Sequence, residues 1–129
     1  MFVSVVIPLL NEEENIGFLY EELKGVLTTL EDDHEIIFID DGSKDRSLSI
    51  LQGLQRADDK VVVVSFRRNF GQTAAMAAGF DYARGDVIIT MDADLQDSPD
   101  EIPELIRMIR EEGYHVVSGW KKKRYDPFL

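Results

Sequence analysis

Two aspartates, Asp92 and Asp94, lie two positions apart directly after an apolar run, where their carboxylates could do chemistry together. In an extended segment both side chains would point to the same side, and neighbouring carboxylates repel unless a cation lies between them. Such hard oxygen ligands favour Mg²⁺ or Mn²⁺, and Gln96 continues the alternation with a neutral oxygen. Taken alone, the spacing favours solvated acids in a polar turn. At the end of a buried strand, opposite the adjacent acids Asp40 and Asp41, it favours a metal site.

The pair Asp40 and Asp41 begins a short polar segment that has two interpretations. Gly42 permits a positive φ, Ser43 is a good helix cap, and acids are stabilised at the positive end of a helix. This interpretation explains one acid and does not require two. A carboxylate here could instead accept hydrogen bonds from a nucleobase or a ribose, and the sequence leaves both interpretations open.

Polar residues also follow the first and third apolar runs of the chain. Asn11 and the glutamates at 12–14 are explained by capping of the next helix, so the pattern alone does not favour a ligand role for Asn11 or Glu13. Arg67 and Arg68 fit a solvated loop, and they could also balance the charge of a phosphate.

Short apolar runs alternate with stretches of helical spacing along the chain. The runs predict strands at residues 3–7, 35–39, 61–66, 86–91 and 115–118. Helices are predicted at residues 16–30, 48–54 and 72–82, followed by one that begins at Pro99 or near Pro103 and ends at Gly113. This order predicts an α/β, Rossmann-like fold with a largely parallel sheet, right-handed crossovers and helices on both faces. Pro8 should close the first strand, and the polar segments should converge at the carboxyl edge of the sheet.

Composition excludes several classes of protein. The 129 residues suffice for one domain, and a net charge of -11 argues against a general nucleic-acid binder. The absence of cysteine excludes disulfides and thiolate metal sites. His34 and His115 do not lie at a spacing from other residues that indicates a shared site, and they are assigned to the surface. No apolar run approaches the ~18 residues of a membrane span. Neither G-x-G-x-x-G nor the P-loop pattern is present, which disfavours dehydrogenases and P-loop enzymes.

In combination, five segments resemble family 2 glycosyltransferases of the glycosyltransferase-A fold. They are Val5-Val6-Ile7-Pro8 with Asn11-Glu12-Glu13, Ile39-Asp40-Asp41-Gly42-Ser43, Asn69-Phe70-Gly71-Gln72, residues 91–97 and residues 119–124. The nearest likeness is to polyprenyl-phosphate sugar transferases of the dolichol-phosphate mannosyltransferase and bactoprenol glucosyltransferase types. Those enzymes continue well past this length with an acceptor region and often membrane helices. The resemblance therefore implies that residues 1–129 are the N-terminal, nucleotide-sugar-binding part of a catalytic domain.

The resemblance also implies roles for the polar residues. Asp92 and Asp94 would be the catalytic pair, and with Gln96 they would hold Mg²⁺ or Mn²⁺ and the donor diphosphate. The residues implied to bind the nucleotide sugar are Pro8, Leu9, Asn11, Glu13, Asp40, Asp41, Arg67, Asp92, Ala93, Asp94 and Arg124. The basic run at 121–124 could steer anionic lipid heads or phosphates, or it could be a solvated loop.

The implied reaction is an inverting transfer of a sugar from a UDP-glucose or GDP-mannose type of donor to a polyprenyl phosphate. A phosphate acceptor with a second pKa of about 6 is already anionic and needs positioning more than a strong base. One alternative is a family 2 enzyme that acts on a glycan or other hydroxyl acceptor, and another is a nucleotide-binding remnant without activity. The longer protein is expected at the cytoplasmic face of a membrane with the membrane surface as a partner, this chain alone is expected to be soluble, and no nucleic acid is expected as a partner.

Overall fold

The computed structural model describes residues 1–94, 99–112 and 116–117. Within these ranges the strands are β1 (Phe2–Leu9), β2 (Asp33–Asp40), β3 (Val61–Ser65), β4 (Val87–Thr90) and β5 (Val116–Val117). The helices between them are α1 (Ile16–Leu27), α2 (Ser47–Ala57), α3 (Gln72–Tyr82) and α4 (Ile102–Glu112), with a 3₁₀ turn (Pro99–Glu101) before α4. The strands form one parallel sheet in the order β3-β2-β1-β4-β5. The predicted α/β order and parallel sheet are confirmed.

β1 and β2 form the buried centre of this sheet. Their register runs without a break from the pair Phe2 and Asp33 to the pair Leu9 and Asp40. All residues at 3–9 are buried, which agrees with the nearly continuous apolar run that a doubly covered strand requires. The two central strands therefore bring their polar carboxyl ends to the same level.

Pro8 does not close β1, contrary to expectation, and lies inside the strand one residue before its end. Successive residues of a strand face alternate neighbours, and the carbonyl of Val6 accepts the N–H of Met91 on the β4 side at 3.0 Å. The nitrogen of Pro8 consequently faces the same side, beyond the last β1–β4 pair of Val6 with Thr90. A ring nitrogen that lacks a hydrogen is tolerated there because β4 has already ended.

Helices cover both faces of the sheet, as predicted. α1, α2 and α4 pack on one face around a large hydrophobic core, and α3 packs on the other face around a smaller one. The close approach of α3 depends on Gly79, because a Cβ at this position would lie 2.3 Å from Cγ1 of Val6 and 3.0 Å from Cδ1 of Ile39. The small residues of this helix thus have the packing role that their position in the sequence indicates.

The crossover through α4 departs from the predicted right-handed rule. The chain passes from β1 to β2 to β3 in one direction with α1 and α2 on one face. It passes from β4 to β5 in the opposite direction, yet α4 packs on the same face, so this connection has the opposite hand to those through α1 and α2 and the four crossovers cannot all be right-handed. The apolar side chains of α4 that join the core beside α1 are Ile102, Leu105, Ile106 and Ile109. The crossovers through α1, α2 and α3 share one hand, because α3 crosses in the opposite direction on the opposite face.

The first two helices begin later than local capping rules predict. α1 begins at Ile16, so Asn11 and the glutamates at 12–14 precede the helix and do not cap it. α2 begins at Ser47, so Ser43 is not its cap. These expectations were wrong for Asn11, Glu13 and Ser43 because these residues bond to a neighbouring loop, as described below.

The later helices agree better with the sequence. α3 has the predicted bounds of 72–82. A short turn precedes α4, which begins at Ile102 with Pro103 in its first turn, and this confirms the later of the two predicted starts. The predicted end at Gly113 lies outside the described residues. None of the helices in the described ranges combines the length and apolar character of a membrane-spanning helix.

His34 is buried, so its assignment to the surface was wrong. The residue is 6% exposed, and its Nε2 lies 2.9 Å from the Nζ of Lys24, which also forms a 3.0 Å ion pair with Asp58. Burial, followed by the charges of Lys24 and Lys60, lowers the pKa of His34. This cluster lies at the amino edge of the sheet, away from the polar strand ends. His115 lies outside the described residues.

Candidate functional site

The carboxyl ends of β1 to β4 lie along one edge of the sheet, as predicted. Leu9 pairs with Asp40 at the end of β1, and Asp40 pairs with Ser65 at the end of β3. Asp92 and Asp94 follow β4 on the other side of β1. Residues that are far apart in the sequence therefore form one row of polar groups at this edge.

The loops after β1 and β2 are joined by hydrogen bonds between side chains and backbone. Asn11 has a φ of 53°, its N–H donates to Oγ of Ser43 at 2.8 Å, and its Oδ1 accepts the N–H of Lys44 at 2.9 Å. The N–H of Glu12 donates to Oγ of Ser47 at 2.9 Å. The side chains that resemble helix caps in the sequence thus connect two loops instead.

An acidic cleft of about 240 Å³ opens between these two loops, and it is lined by Asn11, Glu12, Glu13, Glu14, Asn15 and Asp45. One carboxylate of this cleft, Asp45, accepts the N–H groups of Glu13 at 3.2 Å and Ser47 at 2.8 Å. Desolvation raises the pKa of Asp45, but hydrogen bonds from Ser47 and Glu13 outweigh it and leave the pKa below its ordinary value. Glu13 in turn accepts the N–H of Arg46 at 3.3 Å. The cleft is therefore negatively charged and repels a phosphate unless a cation or a basic residue is nearby.

Asp41 connects the loop after β2 to the loop after β3. It is 5% exposed, and its Oδ1 accepts the N–H of Phe70 at 2.8 Å while its Oδ2 accepts the N–H of Gly71 at 3.1 Å. Its own N–H donates to the carbonyl of Leu9 at 2.9 Å. Its neighbour Asp40, which is also buried, accepts the N–H of Ser43 at 3.3 Å. Neither of the two interpretations of these acids from the sequence included a bond to the loop after β3.

The loop after β3 lies directly against Gly42. That glycine has a φ of 80°, and a Cβ on it would lie 2.3 Å from the carbonyl carbon of Arg68. In the same loop, the guanidinium carbon of Arg68 lies 4.6 Å from the ring centroid of Phe70, and the ring of Phe66 meets that of Phe70 edge-on at 5.7 Å. Arg68 is therefore placed over an aromatic ring, and both Arg68 and its neighbour Arg67 are exposed.

Asp92 and Asp94 lie on either side of a buried alanine. Ala93 is 4% exposed and joins the large core, while Asp92 is half-buried and Asp94 is exposed. Ala93 and Asp94 form a turn, so the extended geometry assumed for this segment was wrong. Burial of the alanine anchors the segment, and the two acids remain at the carboxyl edge where the metal was predicted.

The described residues do not complete a metal site by themselves. Within residues 1–94, 99–112 and 116–117, no group of three or more histidine, cysteine or acidic side chains is close enough to hold a metal ion. The donor set of Asp92 and Asp94 fits Mg²⁺ or Mn²⁺ in its chemistry, since both metals prefer carboxylate oxygens and accept oxygens of a bound phosphate. Gln96, the predicted third ligand, lies outside the described residues.

The remaining residues predicted to bind the nucleotide sugar are distributed unevenly. Pro8 and Leu9 are buried in β1, so they can offer a ligand little of their side chains. Arg67 is exposed after β3, and Arg124 lies outside the described residues. Phe70 was not predicted as a functional residue, although it is part of the Asn69-Phe70-Gly71-Gln72 segment, because no rule of spacing identifies a single exposed ring.

Comparison with known proteins identifies relatives of the whole chain. A model described as glycosyl transferase family 2 matches residues 4–128. An undecaprenyl-phosphate 4-deoxy-4-formamido-L-arabinose transferase of Pseudomonas fluorescens is 47% identical over 97% of this chain and 37% of its own length. The uncharacterized glycosyltransferase YkcC of Bacillus subtilis is 45% identical over 94% of this chain and 37% of its own length. The chain thus spans little more than a third of these relatives.

Solved structures share the fold at lower identity. S. aureus TarS 1–349 in complex with UDP-GlcNAc has a TM-score of 0.68 and 23% identity over 88% of this chain and 32% of that one. The mannosyltransferase PcManGT from Pyrobaculum calidifontis, in complex with GDP-Man and Mn²⁺, has a TM-score of 0.66 and 21% identity over 84% of this chain and 32% of that one. At these identities the likeness establishes the fold alone.

Proposed function

This chain belongs to glycosyl transferase family 2, and on that premise we propose that it is the donor-binding part of an enzyme that transfers a sugar from a nucleotide sugar to a polyprenyl phosphate. The observation that carries the proposal is the name shared by relatives at 43% to 47% identity, undecaprenyl-phosphate 4-deoxy-4-formamido-L-arabinose transferase. Since those relatives extend well beyond the matched region, the acceptor and the activity belong to the whole protein.

The residues after β4 include two carboxylates that could hold a cation for the donor diphosphate. Asp92 and Asp94 would hold Mg²⁺ or Mn²⁺ together with Gln96, and the cation would in turn bind the donor diphosphate. When bound, the cation stabilises the negative charge that develops on the departing diphosphate. The burial of Ala93 supports this role, because it anchors both carboxylates at the edge of the sheet.

The residues after β1, β2 and β3 would form the nucleotide pocket. Asn11, Glu13, Asp40 and Asp41 fix the walls through the hydrogen bonds between the loops. Arg67, exposed beside them, would contribute positive charge toward the phosphates. In a chain with a net charge of -11, a cation and one well-placed arginine supply the attraction that the acidic edge lacks.

A lipid phosphate acceptor suits a site of this kind. Its anionic oxygen attacks the anomeric carbon, the bond from that carbon to the diphosphate oxygen breaks, and the electron pair leaves with the nucleoside diphosphate, so the configuration inverts. Because the second pKa of a phosphate monoester is about 6, the attacking oxygen needs no strong base near pH 7. We place the reaction at the cytoplasmic face of the membrane, where a lipid-borne phosphate meets a charged donor that does not cross the bilayer.

A transfer assay with the whole protein, of which residues 1–129 are the proposed donor-binding part, tests the proposal. The protein is incubated with UDP- and GDP-linked sugars, Mn²⁺ or Mg²⁺, and undecaprenyl phosphate in detergent, and the glycosylated lipid is detected by mass spectrometry. Asp92→Asn and Asp94→Ala should each lower the transfer rate by about 100-fold or more, because they remove ligands of a cation that contributes several kcal/mol to transition-state stability. Asp81→Asn, the same change of charge at an exposed position of α3, should leave the rate unchanged.

Each alternative predicts a different result in the same assay. Undecaprenol, which lacks the phosphate, should accept no sugar, and transfer to it or to an oligosaccharide would instead indicate a hydroxyl-acceptor enzyme. Donor binding without transfer to any acceptor would indicate a nucleotide-binding remnant. Transfer that persists in excess EDTA would contradict the metal assignment.

A further inference from the structure

Phe70 presents an aromatic ring that is exposed and yet fixed in place. The side chain is 54% exposed. The guanidinium carbon of Arg68 lies 4.6 Å from its centroid, and Phe66 meets it edge-on at 5.7 Å. An exposed apolar residue is ordinary by itself, but this ring is held by a cation on one face and by a second ring at its edge. Its remaining surface is oriented before any ligand arrives, which lowers the entropy cost of binding.

The backbone at Phe70 is fixed as well. Asp41 accepts the N–H of Phe70 at 2.8 Å and that of Gly71 at 3.1 Å from a buried position at the end of β2. The Cα of Gly42, next to Asp41, packs against the backbone of Arg68 in the same loop. The ring is therefore tied to the row of loops that forms the proposed nucleotide pocket.

The strand order determines which part of a donor could reach this ring. Phe70 follows β3, and Asp92 and Asp94 follow β4, which is three strands away in the order β3-β2-β1-β4. With neighbouring strands about 4.8 Å apart, the two positions are roughly 14 Å apart along the edge. That separation is comparable with the length of an extended nucleoside diphosphate. A donor whose diphosphate lies after β4 is therefore long enough for its nucleobase to reach the loops after β2 and β3.

We propose that Phe70 stacks on the nucleobase of the donor and that Asp41 is the positioning residue that holds Phe70 in place. The inference rests on the proposed function, because it requires a nucleotide donor whose diphosphate lies at Asp92 and Asp94. A base has a planar face that a fixed phenyl ring can cover whatever the base is, so stacking contributes affinity without selecting one nucleotide by hydrogen bonds. Arg68, on the opposite face of the ring, adds to the stack as a cation–π partner.

Calorimetry on the full chain with Mn²⁺ and either UDP or GDP tests this assignment, using whichever nucleotide the unmodified chain binds. Phe70→Leu keeps the apolar bulk and removes the planar ring, and it should weaken binding by about fivefold to a hundredfold, the range that base stacking on aromatic residues gives. Phe70→Tyr should restore the affinity. Phe80→Leu, at an exposed position near the far end of α3, is the matched control and should have no effect.

Inorganic pyrophosphate with Mn²⁺ separates stacking from structural damage, since it has the diphosphate but no base. Phe70→Leu should bind pyrophosphate as the unmodified chain does, and Asp41→Asn should weaken the nucleotide more than the pyrophosphate. Unchanged nucleotide affinity in Phe70→Leu, or an equal loss of nucleotide and pyrophosphate, would overturn the stacking role. If the unmodified chain binds neither UDP nor GDP with Mn²⁺, the proposed function itself fails.

Discussion

Replacing Asp41 with alanine should destabilise the fold by about 3 kcal/mol, since hydrogen bonds to a charged group contribute about 1.5–3 kcal/mol each and the second of the two here is long. The bond from the N–H of Phe70 is 2.8 Å, whereas the N–H of Gly71 is shared between the two carboxylate oxygens at 3.1 Å and 3.3 Å. Asp41→Asn keeps one acceptor oxygen and turns an amide group toward the second N–H, so its cost should be about half as large.

The free energy of unfolding is measured by urea titration without nucleotide, so that any loss of ligand binding does not enter the result. Amide hydrogen exchange locates the effect, and Phe70 and Gly71 should lose protection before the strands do. Asp81→Asn, an exposed acid on α3, should change stability by less than about 0.5 kcal/mol. A loss below about 1 kcal/mol in Asp41→Ala, with unchanged exchange at Phe70, would refute the claim that this carboxylate holds the loop.

Two further predictions concern the scaffold. Gly79→Ala should lower the free energy of unfolding in urea by about 1–3 kcal/mol, since its Cβ would lie 2.3 Å from Cγ1 of Val6. The matched change Gly53→Ala, where a Cβ meets nothing within 4 Å, should instead stabilise α2 by about 0.5–1 kcal/mol. Equal effects of the two changes would contradict the close packing of α3. The pKa of His34 is lowered by burial and then by Lys24 and Lys60, so the folded state binds fewer protons than the unfolded state and stability should fall as the pH drops below about 6.5. In His34→Gln the urea midpoint should depend less on pH between pH 7 and pH 5. A pH dependence identical to that of the unmodified chain would exclude His34 as the cause of the loss of stability.

The sheet and its polar edge could be predicted because they depend on patterns that repeat along the chain. Alternating apolar runs and helical stretches fix a parallel α/β order, and parallel strands bring Asp40, Asp41, Asp92 and Asp94 to one edge without further information. α3 has its predicted bounds because its small residues match both helical spacing and close packing. The prediction for Asp92 and Asp94 assumed an extended segment, and the turn at residues 93–94 corrects the geometry while leaving the location unchanged.

The partners of the loop residues could not be predicted, because they lie far away in the sequence. Asn11 and Ser43 each satisfy the local rule for a helix cap, but they bond to each other across 32 residues and the helices begin later. Asp41 had two local interpretations, and the structure gives a third, in which the carboxylate binds the N–H groups of Phe70 and Gly71. Capping rules compare a side chain only with its own helix, so they cannot detect a competing backbone donor on another loop.

The acidic residues of this edge lie in three segments, after β1, after β2 and after β4. Asp40, Asp41 and Asp45 each accept backbone N–H groups of the loops at this edge, so these three carboxylates have a role in holding the loops. A diphosphate that binds beside them adds a further anion to an edge that is rich in acidic residues. Under the proposed function, a nucleotide sugar at this edge gains attraction from a cation and from Arg67, and Asp92 and Asp94 are the proposed ligands of that cation. Metal and donor should accordingly bind as a pair, each increasing the affinity of the other, because the cation offsets the repulsion between the acidic edge and the diphosphate, and the diphosphate supplies further oxygen ligands to the cation.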